Sequence, residues 1–272
     1  MRFAINWSPE AADLLRTGQI EIDLYKCPDW PEVVTPAREQ RPSYVHFPLS
    51  IGKGQARDWD FAQIENWLDT TETTFVNCHI NPTQEIFPKD IALDDLLEPL
   101  TQEVQTLVDQ FGAERVIIEN SPISELNIER GYLRQGVEAR IFQEISATTN
   151  CGFLLDVSHA RLTCETTGDD PHQYMQSLPV SRLRELHITG IGIWNLGIRG
   201  DHMPLTDSDW HMTEWVVQQI RERAWNEPYL MAFEYGGIGK LKDWCGSDGD
   251  KIAEQVPRLF ALAHSTDASI AK

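Results

Sequence analysis

The chain is short of basic residues, of cysteine and of long apolar runs, and each shortage removes a class of function. Its 23 lysines and arginines stand against 42 aspartates and glutamates, a formal charge of −19. A field of that sign repels phosphate backbones and anionic lipid headgroups, so neither bulk nucleic acid nor a membrane is expected as a partner. The five cysteines, Cys27, Cys78, Cys151, Cys164 and Cys245, are widely scattered and form no C-x-x-C pair. Such spacing builds neither a disulfide framework nor a thiolate zinc knuckle, and it fits a reducing cytoplasm. No apolar run approaches the ~18 residues of a membrane span, and the start MRFAINWSPEAADLL lacks the order of a signal peptide. G-x-S-x-G, H-E-x-x-H and a Walker loop are all missing, and the S-x-x-K match at residues 50–53 has no companion motif. No stretch rich in Gly, Ser or Pro marks a linker, so residues 1–272 are expected to form one domain.

What is present is a globular composition, 41% apolar and 24% charged, with short apolar runs alternating with amphipathic ones. Eight strand candidates begin at Arg2, Glu21, Ser43, Thr74, Arg115, Gly152, Arg184 and Tyr229. Helical periodicity fills the stretches from Leu93, Leu133, Asp209 and Gly249. Runs such as VII and FLL suit strands buried on both faces, as in a parallel sheet covered by helices. Eight strand and helix units in this length predict an α/β fold, a (β/α)8 TIM barrel. The rival, an open doubly wound sheet, lacks its usual glycine-rich turn.

Barrel chemistry sits where strands end, and ionisable residues recur there: His46 after SYV, His79 after FVNC, Glu119 after VII, Asp156 and His159 around GFLL, His187 after REL, and Glu234 after LMAF. Asp201 and His202 are expected in the loop after the seventh strand. Imidazole and carboxylate donors without cysteine suit zinc, iron or manganese. Five histidines and up to four carboxylates exceed the needs of one ion, so two or three divalent metals are expected. Any single strand-end histidine is more often hydrogen-bonded structure than ligand; recurrence over six runs is what points to a shared site. His172, His211 and His264 read as surface or helix-packing residues, and Cys78 as packing. Glu21 and Asp23 stay open between orienting ligands and forming ion pairs. The GGIGK segment from Gly236 is either a backbone phosphate cradle or a loop needing glycine conformations.

The ligand order His46, His79, Glu119, Asp156-x-x-His159, His187, Asp201-His202, Glu234 resembles that of the xylose-isomerase-like TIM barrels, especially the apurinic endonuclease IV family with its trinuclear zinc site. A closer likeness is to the multinuclear non-haem iron-dependent oxidative enzymes. The stretch DPHQYMQSLPVSRLRELHITG from Asp170 is similar to that family's D-P-x-x-Y-x-x-x-L-P-x-x-R-x-x-E-[LI]-H-[LI]-x-G, and VIIENSP, GFLLDVSHARL and HFPLSIG resemble its other segments. The resemblance implies a barrel holding two or three irons that use dioxygen to modify a peptide, usually with a separate precursor-recognition protein. It also implies His46, His79, Glu119, Asp156, His187, His202 and Glu234 as ligands, and Glu119, Asp156, His202 and Glu234 as the catalytic candidates. His159 stands where that family has asparagine, which is closer to the endonuclease pattern, and the family's D-x-H is compressed here to adjacent Asp201 and His202.

Three functional classes follow. The leading one is a multinuclear iron enzyme oxidising a peptide or small molecule with dioxygen. The second keeps the site but uses zinc or manganese for hydrolysis or sugar isomerisation and epimerisation. The third is a non-enzymatic metal-binding scaffold that docks a partner through tryptophans, although Trp7, Trp67, Trp215 and Trp225 read more simply as packing.

Overall fold

The computed structural model describes residues 1–238 and 245–265. Each of the eight strand candidates overlaps a strand: β1 (Arg2–Asn6), β2 (Leu24–Pro28), β3 (Ser43–His46), β5 (Val76–Ile80), β6 (Val116–Glu119), β7 (Gly152–Asp156), β8 (Leu183–Ile188) and β11 (Leu230–Phe233). Three short strands were not foreseen, β4 (Ser50–Ile51), β9 (Gly190–Ile193) and β10 (Arg199–Met203).

The chain divides into two compact units, residues 1–45 with 185–272, and residues 46–184. In the first unit the strands run in the order β3-β2-β1-β11-β8, and β1 pairs with β2, β1 with β11 and β11 with β8 in parallel. Helices Pro9–Arg16, Pro31–Gln40, Asp207–Arg221 and Gly249–His264 accompany them. In the second unit β7-β6-β5-β4 are parallel neighbours, with helices Phe61–Thr70, Leu93–Phe111, Ala139–Thr149 and Val157–Thr167 among their connections. Parallel pairing explains the continuous apolar runs: Val116, Ile117, Ile118, Phe153, Leu154 and Leu155 are all fully buried.

Helix starts follow local chemistry. Ser8 caps Pro9–Arg16 by accepting from Ala11 N, with proline at the first helical position. Thr206 and Asp209 form a reciprocal capping box at Asp207–Arg221. The periodic stretch from Leu133 departs from expectation: Arg134–Val137 is a 3₁₀ turn and the α-helix begins at Ala139. Gly136 in this turn lies against the Pro82 ring too closely for a Cβ to fit.

Asp201 and His202 lie not in a loop but on β10, which pairs antiparallel with β9 and is irregular between Gly200 and Met203. The second strand starts at Leu24, leaving Glu21 exposed. Asp23 adopts the ion-pair role, its Oδ2 lying 2.7 Å from Phe3 N and 3.1 Å from His264 Nε2. His264 also stacks on Phe260, which is the helix-packing role expected of it. Gly236 has φ +80° and presses against Ser247, so the described part of GGIGK is a turn that requires glycine; Gly239 and Lys240 lie outside the described residues. Trp67 and Trp225 are buried, and Trp215 meets Trp225 edge to face, so these tryptophans pack. No helix among the described residues is long and apolar enough to cross a membrane.

All five cysteines are free and buried. Burial pushes the thiol of Cys27 up to about 12, Cys164 to about 12 and Cys245 to about 11, and raises Cys78 and Cys151 as well. Cys78 is therefore packing, as expected. The native protein should show no fast-reacting thiol with Ellman's reagent at neutral pH, whereas the denatured chain should titrate all five.

Candidate metal centre

Within residues 46–184, strand register brings the donors level. β5 pairs with β6 so that His79 stands opposite Glu119. Glu119, 1% exposed, presents Oε1 3.1 Å from His79 Nε2 and Oε2 3.4 Å from His46 Nε2. One carboxylate thus spans two imidazoles, whose rings meet edge to face with centroids 5.7 Å apart.

Asn77 shares a face of β5 with His79, two residues on. Its Oδ1 accepts from Phe47 N at 2.7 Å, and its Nδ2 donates to Phe47 O at 3.0 Å. This grip on the backbone fixes the amide orientation and leaves Nδ2 3.1 Å from His46 Nε2. Asn77 therefore anchors the segment that carries His46.

Asp156 ends β7 and caps the helix Val157–Thr167, its Oδ1 accepting from His159 N at 2.7 Å. The cap explains the D-x-x-H spacing, because it places His159 in the first helical turn beside the carboxylate, with Nε2 3.7 Å from Asp156 Oδ2. His159 Nδ1 lies 2.8 Å from the carbonyl oxygen of Asn120. A carbonyl only accepts, so Nδ1 carries the hydrogen and Nε2 is the nitrogen left for a cation. Asn120 in turn donates to Asp156 O at 2.8 Å and accepts from Asp156 N at 2.9 Å, locking β6 to β7 at this level.

In the other unit a buried chain of polar groups runs from Tyr44 to Lys26. The Tyr44 hydroxyl donates to Glu185 Oε1 at 2.8 Å, and His187 Nε2 meets the same oxygen at 2.8 Å. His187 Nδ1 lies 3.2 Å from Glu234 Oε1, which also pairs with Lys26 Nζ. A neutral ring has one N–H for these two carboxylate contacts and would turn a lone pair toward the other carboxylate oxygen. A cation must separate the two, either the proton of an imidazolium or a metal ion. Burial acts to raise the Glu234 pKa, but the neighbouring His187 and Lys26 charges overcome it and hold the carboxyl well below its ordinary value. Glu234 is thus an anion in a nearly dry position.

The irregular strand β10 brings Asp201 and His202 to the same unit's C-terminal loops, where Gly236 N donates to His202 O at 3.0 Å. His202 has φ +58°, a left-handed conformation that is strained for a residue with a Cβ. Its Nδ1 has no hydrogen-bond partner among the described residues, and its Nε2 is 3.9 Å from Asp201 Oδ2. Trp194 donates from Nε1 to Asp201 O at 2.8 Å, which holds the two strands of the ribbon together.

The residues therefore fall into a group of His46, His79, Glu119, Asp156 and His159 in one unit and a group of His187, Glu234, Asp201 and His202 in the other. His46, His79 and Glu119 offer donor atoms within 4.8 Å of one another, two imidazole nitrogens and one carboxylate oxygen. That donor set fits zinc, iron or manganese, and the cysteines play no part in it. Sequence reasoning missed Lys26, Tyr44, Asn77 and Glu185. A usable signal existed for the last two, each of which precedes a candidate histidine by two residues on the same strand face.

Asn77→Ala would leave the Phe47 N–H and C=O without their partner, at about 1–3 kcal/mol for each group left unsatisfied. Urea unfolding of the metal-free protein should show a loss of that order, and divalent-metal binding should weaken with it.

A family model described as "RiPP precursor modification enzyme MbnB/TglH/ChrH" matches residues 29–226. A UPF0276 protein of Caulobacter vibrioides (strain NA1000 / CB15N) is 24% identical over 192 residues, 67% of this chain and 66% of its own length. The chain thus spans just under two thirds of that relative. Among solved structures, the IOLI protein with a binding zinc atom aligns over 97% of this chain and 98% of its own, at 12% identity and a TM-score of 0.60. A xylose isomerase domain protein from Alicyclobacillus acidocaldarius aligns over 97% and 99%, at 13% identity and a TM-score of 0.56. At such identities the likeness shows the fold, which is the expected α/β, xylose-isomerase-like (β/α)8 TIM barrel.

Proposed function

Since that match covers well over half of its length, the chain belongs to the RiPP precursor modification enzyme family MbnB/TglH/ChrH, and we propose that it is a multinuclear iron enzyme that oxidises a peptide with dioxygen. The observation that carries this reading is the buried Glu119 carboxylate set between the Nε2 atoms of His46 and His79. In this reading residues 1–272 work as one domain in the cytoplasm, with a separate protein presenting the precursor peptide. The donors for two or three divalent ions are His46, His79, Glu119, Asp156 and His159 in one unit and, in the other, His187, Asp201, His202 and Glu234. Bound iron supplies the electrons and the open coordination positions that oxidative chemistry with dioxygen requires.

The chain's own groups divide the remaining work. Glu119 and Asp156 set the charge of the site, and the capping bond from His159 N keeps Asp156 from turning away. Glu185 orients the ring of His187, and the Asn120 carbonyl fixes the tautomer of His159. His202, held in its left-handed conformation with Nε2 3.9 Å from Asp201 Oδ2, completes the donors of its unit.

A second reading keeps the donors and assigns zinc or manganese to hydrolysis or sugar isomerisation. It is favoured by the same N,O donor set and by the zinc atom named for the IOLI structure. Elemental analysis decides between them. Protein prepared without air should carry more than one iron per chain and should change its visible spectrum when air is admitted, whereas stoichiometric zinc with an air-insensitive spectrum would establish the second reading. Glu119→Ala should lower the metal content in either case, because it removes the carboxylate shared by two imidazoles.

A further inference from the structure

The polar chain from Tyr44 to Lys26 contains a group that a metal site does not ordinarily include, a buried ammonium. Lys26 sits on β2 opposite Asn6 of β1, and its backbone oxygen accepts from Trp7 N at 2.9 Å. The residue is 7% exposed, and its Nζ is paired with Glu234 Oε1. That oxygen also lies 3.2 Å from His187 Nδ1. One carboxylate oxygen is therefore shared by an ammonium and by a ring nitrogen of His187.

Burying a lysine is expensive unless a carboxylate meets it, and a buried pair seldom adds stability over apolar side chains of similar size. An ordinary packing role would be filled more simply by a methionine. What the ammonium does provide is a fixed positive charge that no change of metal supply can remove. It also leaves Glu234 only its second oxygen free of this contact.

We propose that Lys26 is a resident cation of the metal centre, competing with divalent ions for Glu234 and so limiting how many of them this half of the chain holds and how tightly. This rests on reading His187 and Glu234 as ligands. The claim has a sign that a positioning role does not share. A lysine that merely held Glu234 in place would, when removed, loosen metal binding. A lysine that competes for the carboxylate would, when removed, tighten it.

The test is titration of metal-free protein with Co²⁺, followed through its visible ligand-field bands, with elemental analysis of the saturated protein after gel filtration. Lys26→Met should bind its weakest Co²⁺ about tenfold or more tightly than the wild type, or hold one further ion per chain, the size of effect expected when one like charge is removed at close range. Lys26→Arg, which keeps the charge, should stay near the wild type. Metal-free Lys26→Met should also melt at a lower temperature and recover that loss when Co²⁺ is added. Should Lys26→Met fail to fold, Lys26→Gln removes the charge while keeping a donor for Glu234, and it should show the same tightening. Unchanged or weaker Co²⁺ binding in a folded neutral variant overturns the proposal while leaving the metal reading intact. A wild type that binds no Co²⁺, together with a neutral variant that binds none, overturns both.

Discussion

The structure depends on one constraint: carboxylates and imidazoles have been taken out of water, and each must meet an opposite charge or a hydrogen bond within a few ångströms. Glu119 shows it most plainly. A 1% exposed carboxylate sits at the end of an otherwise apolar strand, with an imidazole nitrogen near each oxygen. Nothing about strand formation asks for glutamate there, and valine or isoleucine would pack better. Burying it makes sense only with a cation among its neighbours, whether a proton on the rings or a metal ion.

Parallel pairing supplies the geometry. Because neighbouring strands run the same way, residues at equivalent positions end at one level, as His79 and Glu119 do. The scaffold that carries them needs only apolar runs of the right length. The cost of the site is borne by a few strand-end positions, and their surroundings are fixed through the backbone by Asn77 on Phe47 and Asn120 across β6 and β7.

Much of this was legible in the sequence because its signals are local. VII and FLL announce buried parallel strands, and a lone histidine or acid terminating such a run marks the candidate donors. What stayed hidden depends on contacts between distant residues. Lys26 reads as an ordinary strand lysine until Glu234 is beside it, and Tyr44 as a core aromatic until Glu185 accepts from it. The placement of Asp201 and His202 on a ribbon was obscured by glycines, which weaken strand signals; Gly200 is present because the Trp194 ring lies against it. The stretch from Leu133 opens as a 3₁₀ turn whose Gly136 packs on Pro82, more than fifty residues away. No periodicity within the segment could carry that information.

Asp156 has two obligations, and they bind its chemistry to the folding of its neighbour. One oxygen closes the first turn of the helix Val157–Thr167, so the direction of the carboxylate is tied to that helix. An ion arriving at a chain whose helix has not formed finds a freely rotating aspartate and a histidine without a fixed tautomer. Loading and the wrapping of this segment are then coupled, and any agent that frays that single turn disarms the ligand from behind.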